Sequence, residues 1–117
     1  MDEKVFKDRT KKLALRVIQL VEELPSSRTS NVISQQLVRS ATSIGANYRA
    51  ACRGKSTADV ISKLSIVEEE ADESAYWLEL LVESHLVTDA QVADLLREAN
   101  EIVDMTVTSI KTLRGRP

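Results

Sequence analysis

Histidine and cysteine each occur once in the 117 residues, as His85 and Cys52. A single imidazole leaves little from which to build a nucleophilic triad. It also falls short of a di-metal carboxylate bundle, which wants a Glu-x-x-His on each of two helices. A lone thiol excludes an internal disulfide, offers no second sulfur to zinc, and suits a reducing cytosol. There are three glycines, and Gly45 and Gly54 stand alone, so no glycine-rich phosphate loop exists. The aromatics are Phe6, Tyr48, Tyr76 and Trp77, too few and too scattered to interleave with bases for sequence-specific single-strand reading. No apolar run approaches a membrane span, and the charged N-terminus is not followed by a signal-peptide core. The expectation is a cytoplasmic, non-enzymatic chain with no metal, cofactor, small-molecule substrate or membrane partner.

What remains is rich in Leu, Ala, Glu and Lys, with two prolines, one of them Pro117. That composition predicts one all-α domain over residues 1–117. The first helix spans Glu3 to Leu24, with Phe6, Leu13, Val17, Leu20 and Leu24 at helical spacing and Thr10 as a polar interruption. Pro25 stops it. A loop follows, and Ser30 or Asn31 is the expected cap of the second helix. Gly54 closes that helix as a left-handed C-cap, and Ser56 opens the third, with Asp59 three residues on. The third helix runs from Thr57 to Ser84, its inner stripe Val60, Leu64, Val67, Ala71, Ser74, Leu78 and Leu81. Thr88 and Gln91 form a capping box that opens the fourth, and residues 114–117 fray. Connectors this short make the helices antiparallel neighbours, hence an up-down-up-down four-helix bundle.

The second helix has three sides. At about 100° per residue, Ile33, Leu37, Ala41, Ile44, Tyr48 and Ala51 form the core stripe. Beside it runs a line of small or uncharged residues, Gln36, Ser40, Ser43, Asn47, Ala50 and Gly54. This line suits a closely approaching helix, either from the same chain or from a neighbouring subunit. Away from both lie Arg39, Arg49 and Arg53, with Lys55 just beyond, positioned to hold phosphates. On the first helix, Lys11 and Lys12 are either a solvated face or part of the same contact. On the third, Ile66, Trp77 and Leu80 lie off the core stripe as a second apolar strip, while Glu68, Glu69, Asp72, Glu79 and Glu83 make an acidic outer face.

Charge is divided along the chain. Residues 1–55 carry eleven Lys/Arg against five Asp/Glu, a net +6, and residues 56–117 carry five against thirteen, a net −8. Such polarity attracts a polyanion to one side, docks copies positive to negative, or neutralises itself within one bundle.

Gln36-Leu-Val-Arg39-Ser-Ala-Thr-Ser43-Ile-Gly-Ala-Asn47 resembles the hallmark Gln-x-x-Arg-Ser/Ala-x-x-Ser-Ile/Val-x-x-Asn of the proteins encoded in 23S ribosomal RNA intervening sequences. The block Glu69 to Leu81, with Trp77 within it, is similar to that family's second conserved segment. The resemblance covers essentially the whole chain. It implies a small bacterial four-helix bundle, often a ring-like homopentamer. It also implies kinship with the accessory protein of diversity-generating retroelements, a basic pentamer that engages a reverse transcriptase and nucleic acid. Many members continue after the Asn with Ile-x-Glu-Gly, whereas this chain has Tyr48-Arg49-Ala50-Ala51. The expected function is a homo-oligomeric accessory module, a pentamer by resemblance, that binds RNA or a nucleic-acid-processing protein. Its ligand contacts would be Arg39, Arg49, Arg53, Lys55, Lys11 and Lys12. Bundle or subunit contacts would come from Gln36, Ser40, Ser43, Asn47, Ile66, Trp77 and Leu80. The alternative is a protein-interaction scaffold that binds no nucleic acid.

Overall fold

Each of the four helices opens on a short polar side chain that accepts a hydrogen bond from the backbone N–H three residues on. Asp2 accepts from Val5, Ser27 from Ser30, Ser56 from Asp59 and Thr88 from Gln91. The computed structural model describes residues 2–115. Within them run α1 (Glu3–Glu22), α2 (Arg28–Cys52), α3 (Thr57–Glu83) and α4 (Asp89–Arg114), with no strand among the described residues. Thr10 meets Gly45, Ser40 meets Ser74, and Arg9 meets Glu98. These pairings make the neighbours antiparallel and the molecule an up-down-up-down four-helix bundle, 51 Å long and about as wide as it is deep (21 × 20 Å).

The helix ends depart from expectation in ways that have physical causes. α2 begins earlier than Ser30 or Asn31, because Ser30 is buried against the bundle and is already inside the helix, leaving Ser27 as the cap. α1 ends at Glu22 rather than Leu24, since Pro25 disfavours helical geometry in the residue before it. Gly54 is not a left-handed cap; no described glycine has positive φ. Its value lies in the absent side chain, because a Cβ there would sit 2.4 Å from Val60 Cγ2. Glycine thus lets the α2–α3 turn fold back tightly. Asp59 accepts from the Lys55 N–H at 3.1 Å, one residue ahead of where a capping box would place its carboxylate. The left-handed position after α3 falls instead to His85, at φ 65°. There the N–H groups of Leu86 and Val87 both reach the Leu81 carbonyl, at 3.0 and 3.2 Å. At Thr88 the capping box with Gln91 forms reciprocally. α4 stays helical through Arg114 rather than fraying from it; Arg116 and Pro117 lie outside the described residues.

The core is one continuous cluster. Phe6, Leu13 and Val17 from α1, Leu37 and Ile44 from α2, Val67, Leu78 and Leu81 from α3, and Val92 and Ile102 from α4 are essentially excluded from water. Burying side chains of this size contributes roughly 1.5–3 kcal/mol each before entropy is counted. The polar interruptions also lie inside, each satisfied by its own helix. The Thr10 hydroxyl donates to the Lys7 carbonyl (3.0 Å) and the Thr106 hydroxyl to that of Ile102 (2.6 Å). Among the described residues no buried side-chain polar atom lacks a partner, and no helix is long and apolar enough to cross a membrane.

Candidate functional site

α2 lies between α1 and α3, so its two flanks meet different neighbours. On the α3 flank the small residues Ser40 and Ser74 bring the backbones close. Both are fully buried, and their hydroxyls lie 2.9 Å apart. The helix approaching the small-polar line is therefore α3 of the same chain, at least at Ser40. Nearer the rim, Asn47 turns back on its own helix and donates to the Ser43 carbonyl (2.9 Å) and hydroxyl (2.8 Å).

Arg39 is on this α3 flank. It pairs with Glu70 (Nη1 to Oε2, 3.1 Å) and with Glu73, and its Nε donates to Gln36 Oε1 at 3.2 Å. Glu73 also accepts from the Trp77 indole N–H at 2.9 Å. That hydrogen bond, followed by the Arg39 guanidinium, holds the Glu73 carboxyl below the usual carboxylate range. Trp77 is thus anchored by its polar edge while its ring packs against the core and meets Tyr76 edge-to-face, with centroids 5.1 Å apart. Trp77, Leu80 and Ile66 are all half-buried. They lie on the side of α3 that carries Glu73, next to the Gln36, Ser43 and Asn47 rim. The residues expected to make bundle or subunit contacts therefore share one face, with Ser40 beneath it.

The α1 flank is different in charge and shape. Its closest approach is at Gly45, where a Cβ would lie 3.2 Å from Thr10 Oγ1. The Phe6 and Tyr48 rings stack edge-to-face one turn on, at 4.4 Å. Above this contact the helices leave a groove of about 460 Å³, floored by Ala14, Gly45 and Ala46 and edged by Lys4, Lys7, Lys11 and Arg49, with Asp8 as its one acid. Lys7 is engaged by Glu3 at 3.1 Å. Among the described residues, Lys4, Lys11 and Arg49 make no ion pair.

The six expected ligand contacts thus separate. Lys11 and Arg49 come together in the groove. Arg53, the C-cap of α2, and Lys55 are exposed at the α2–α3 turn. Lys12 is exposed on α1 but does not line the groove, and Arg39 is held by the two glutamates of α3. Lys4 was not among the expected contacts, although its position seven residues before Lys11 puts it on nearly the same helical bearing. Gly45 gives no sign of its role without knowing that Thr10 faces it.

The other side of the bundle repeats the shape with the opposite charge. A groove of about 440 Å³ between α3 and α4 is bordered by Glu79, Glu83 and Asp89, with Arg97 as its cation. The α1–α4 seam is bridged by Arg9, which donates to Glu98 from Nε (2.9 Å) and Nη2 (2.6 Å). Those bonds hold the Glu98 carboxyl below its ordinary range. Cys52 is half-buried, and burial pushes its thiol pKa up, away from the thiolate form that nucleophilic chemistry needs. Among the described residues no three His, Cys, Asp or Glu side chains converge as a metal-binding group.

These features define a small all-helical bundle protein with a cationic groove on one side and an acidic groove on the other. The chain belongs to the 23S rRNA-intervening sequence protein family, whose model matches residues 2–108. It is also similar to a solved structure from Bacteroides thetaiotaomicron VPI-5482, described as a protein with unknown function from the S23 ribosomal protein family. The two chains are 39% identical over 95% of this chain and 99% of that one, with a TM-score of 0.87. No curated protein matches the sequence.

Proposed function

We propose that this chain is a non-enzymatic, homo-oligomeric accessory module that binds RNA through the basic face of α1 and α2. The observation that carries the reading is the set of cations that form no ion pair among the described residues, Lys4, Lys11 and Arg49, gathered along one groove. The acidic α3–α4 side repels a polyanion, so the bundle presents RNA with one attractive face. The family description connects such chains with intervening sequences of 23S rRNA, and the resemblance favours a pentamer. Several copies in one assembly would multiply the contacts and strengthen a weak individual site. An enzyme that handles nucleic acid is a further candidate partner for the same assembly.

The test is binding to a structured RNA hairpin across a salt series, with the mass of the same sample measured by light scattering. Binding at micromolar protein that weakens steeply with salt is the expected result, because each phosphate contact releases counterions. A stable oligomer that retains no RNA even at low salt would sink the reading.

A second reading, the protein scaffold, is favoured by one observation. Tyr76 is 53% exposed beside the half-buried Trp77, and paired aromatics at a surface suit a protein anchor. If that face joins subunits, Trp77→Ala lowers the oligomer mass while helicity survives.

A further inference from the structure

We infer that the α1–α2 groove takes the sugar–phosphate backbone of RNA by charge alone, with Lys4, Lys11 and Arg49 as the contacts and Gly45 setting their separation. This rests on the nucleic-acid reading above and narrows it to one site and one mode of recognition.

Three observations carry it. First, cations of the same type differ in availability. Arg39 is ten residues from Arg49 on the same helix, yet it is occupied by Glu70, Glu73 and Gln36. Arg49 has no ion-pair partner among the described residues and faces α1 across the groove. Second, the lining has almost nothing with which to read a base. No aromatic side chain borders the groove. Its two hydroxyls are already committed to their own helices: Thr10 donates to the Lys7 carbonyl at 3.0 Å, and Thr42 approaches the Val38 carbonyl at 2.7 Å. Base recognition needs stacking surfaces or directed donors and acceptors. In a base-paired stem the deep, narrow major groove keeps base edges out of reach of side chains, so the ammonium and guanidinium groups over this alanine and glycine floor, with Asp8 the one carboxylate among them, meet phosphate. Third, the spacing of the cations depends on a close helix approach. Any side chain at position 45 presses on Thr10, whose hydroxyl is already within 3.2 Å of where a Cβ would stand. Gly45 is therefore a positioning residue: it holds α2, and with it Arg49, against the lysines of α1. Lys4 and Lys11 stand two turns apart, about 10 Å along the axis, so they reach different phosphates of one strand.

The experiment compares fluorescence anisotropy of two RNA hairpins with unrelated stem sequences across a salt series. The proteins are the wild type, Lys11→Ala/Arg49→Ala, Arg53→Ala/Lys55→Ala, Lys11→Arg/Arg49→Lys and Gly45→Val. The two alanine pairs remove the same charge, one inside the groove and one outside it. Expected is equal binding of both hairpins. The salt slope should flatten by about two for the groove pair, about one for each phosphate contact removed, and by much less for the outer pair. Binding should be retained in the charge-conserving pair. Gly45→Val is expected to weaken binding with no change of charge, in a sample whose circular dichroism shows it folded. If it does not fold, the two alanine pairs decide alone. Equal losses in both pairs would overturn the groove and leave the RNA reading standing, with a diffuse field as its basis. Preference for one hairpin by tenfold or more would overturn recognition by charge alone. Absence of wild-type binding at low salt would overturn both this inference and the reading beneath it.

Discussion

The two flanks of α2 have the same backbone and similar side chains, yet they are put to opposite uses. Toward α3, serine meets serine, the helices close, and Arg39 is neutralised by glutamates standing opposite. Toward α1, glycine meets threonine, and the cations beyond that contact face other cations with Asp8 as the one acid among them. Because acids form ion pairs with α2 across the α3 seam, while Asp8 in the α1 groove pairs with no cation among the described residues, the arginines of a single helix divide into a structural one and an available one. The availability of a charged residue is thus a property of the neighbouring helix as much as of its own.

The largest way to break this contrast is to overpack the tight flank. Ser40→Leu forces a branched side chain between backbones spaced for two hydroxyls, and is expected to cost about 1–3 kcal/mol or more. The urea midpoint should fall accordingly, and an unchanged midpoint would show that α2 and α3 are not held as closely as the serine contact indicates. Arg9→Ala probes the α1–α4 seam, where the bridge to Glu98 is only partly shielded. About 1 kcal/mol is expected there, between the values for an exposed pair and for a hydrogen bond to a charged group. Gly45→Ala should change stability by less than that. A gain of about 1 kcal/mol in helix propensity opposes the pressure on Thr10, so a large loss would mean the α1 flank is as rigid as the other.

The functional contrast is sharpened by single substitutions. Arg39→Ala should leave RNA affinity unchanged while lowering the melting temperature slightly, and Arg49→Ala should do the reverse. If both reduce affinity equally, the ion pairs of Arg39 do not withhold it from ligand.

The smallest effect is acid sensitivity. Glu98 and Glu73 have carboxyls held below their ordinary pKa, near 4.3 for an unfolded glutamate. They therefore bind fewer protons folded than unfolded, and the stability they contribute is complete above that value. It is lost as pH falls through the lower folded values. The stability gap between wild type and Arg9→Ala should accordingly shrink as pH drops below about 4. A gap that stays constant to pH 3 would mean Arg9 does not act through Glu98.

Much of this molecule was legible in its residues because helical spacing survives without a partner. The core stripe of α2, Ile33 to Ala51, is buried as its periodicity required, and the Thr88 capping box forms from four consecutive residues. The errors fell where a distant residue intervened. Ser30 looked like a cap, but it is buried against the rest of the bundle, already inside α2, and Ser27 caps instead. Gly54 looked like a left-handed stop, but Val60 needs the space its side chain would fill. His85 does lie exposed in the turn after α3; its left-handed conformation there, at φ 65°, is one that a glycine would take more easily.

The sequence by itself determined the number of helices, their inner faces, the N-caps of α3 and α4 and the antiparallel order. Each of these depends on residues a few positions apart or on connectors too short to allow another path. The family match over residues 2–108 rests on the same local motifs. Only the tertiary structure decided which cations are engaged and which line a groove. Arg39 and Glu73 are 34 residues apart, and Thr10 and Gly45 meet only once α1 has folded back on α2. A charge or a missing side chain takes its meaning from what stands across the seam, and that is set by packing between helices rather than by spacing along one.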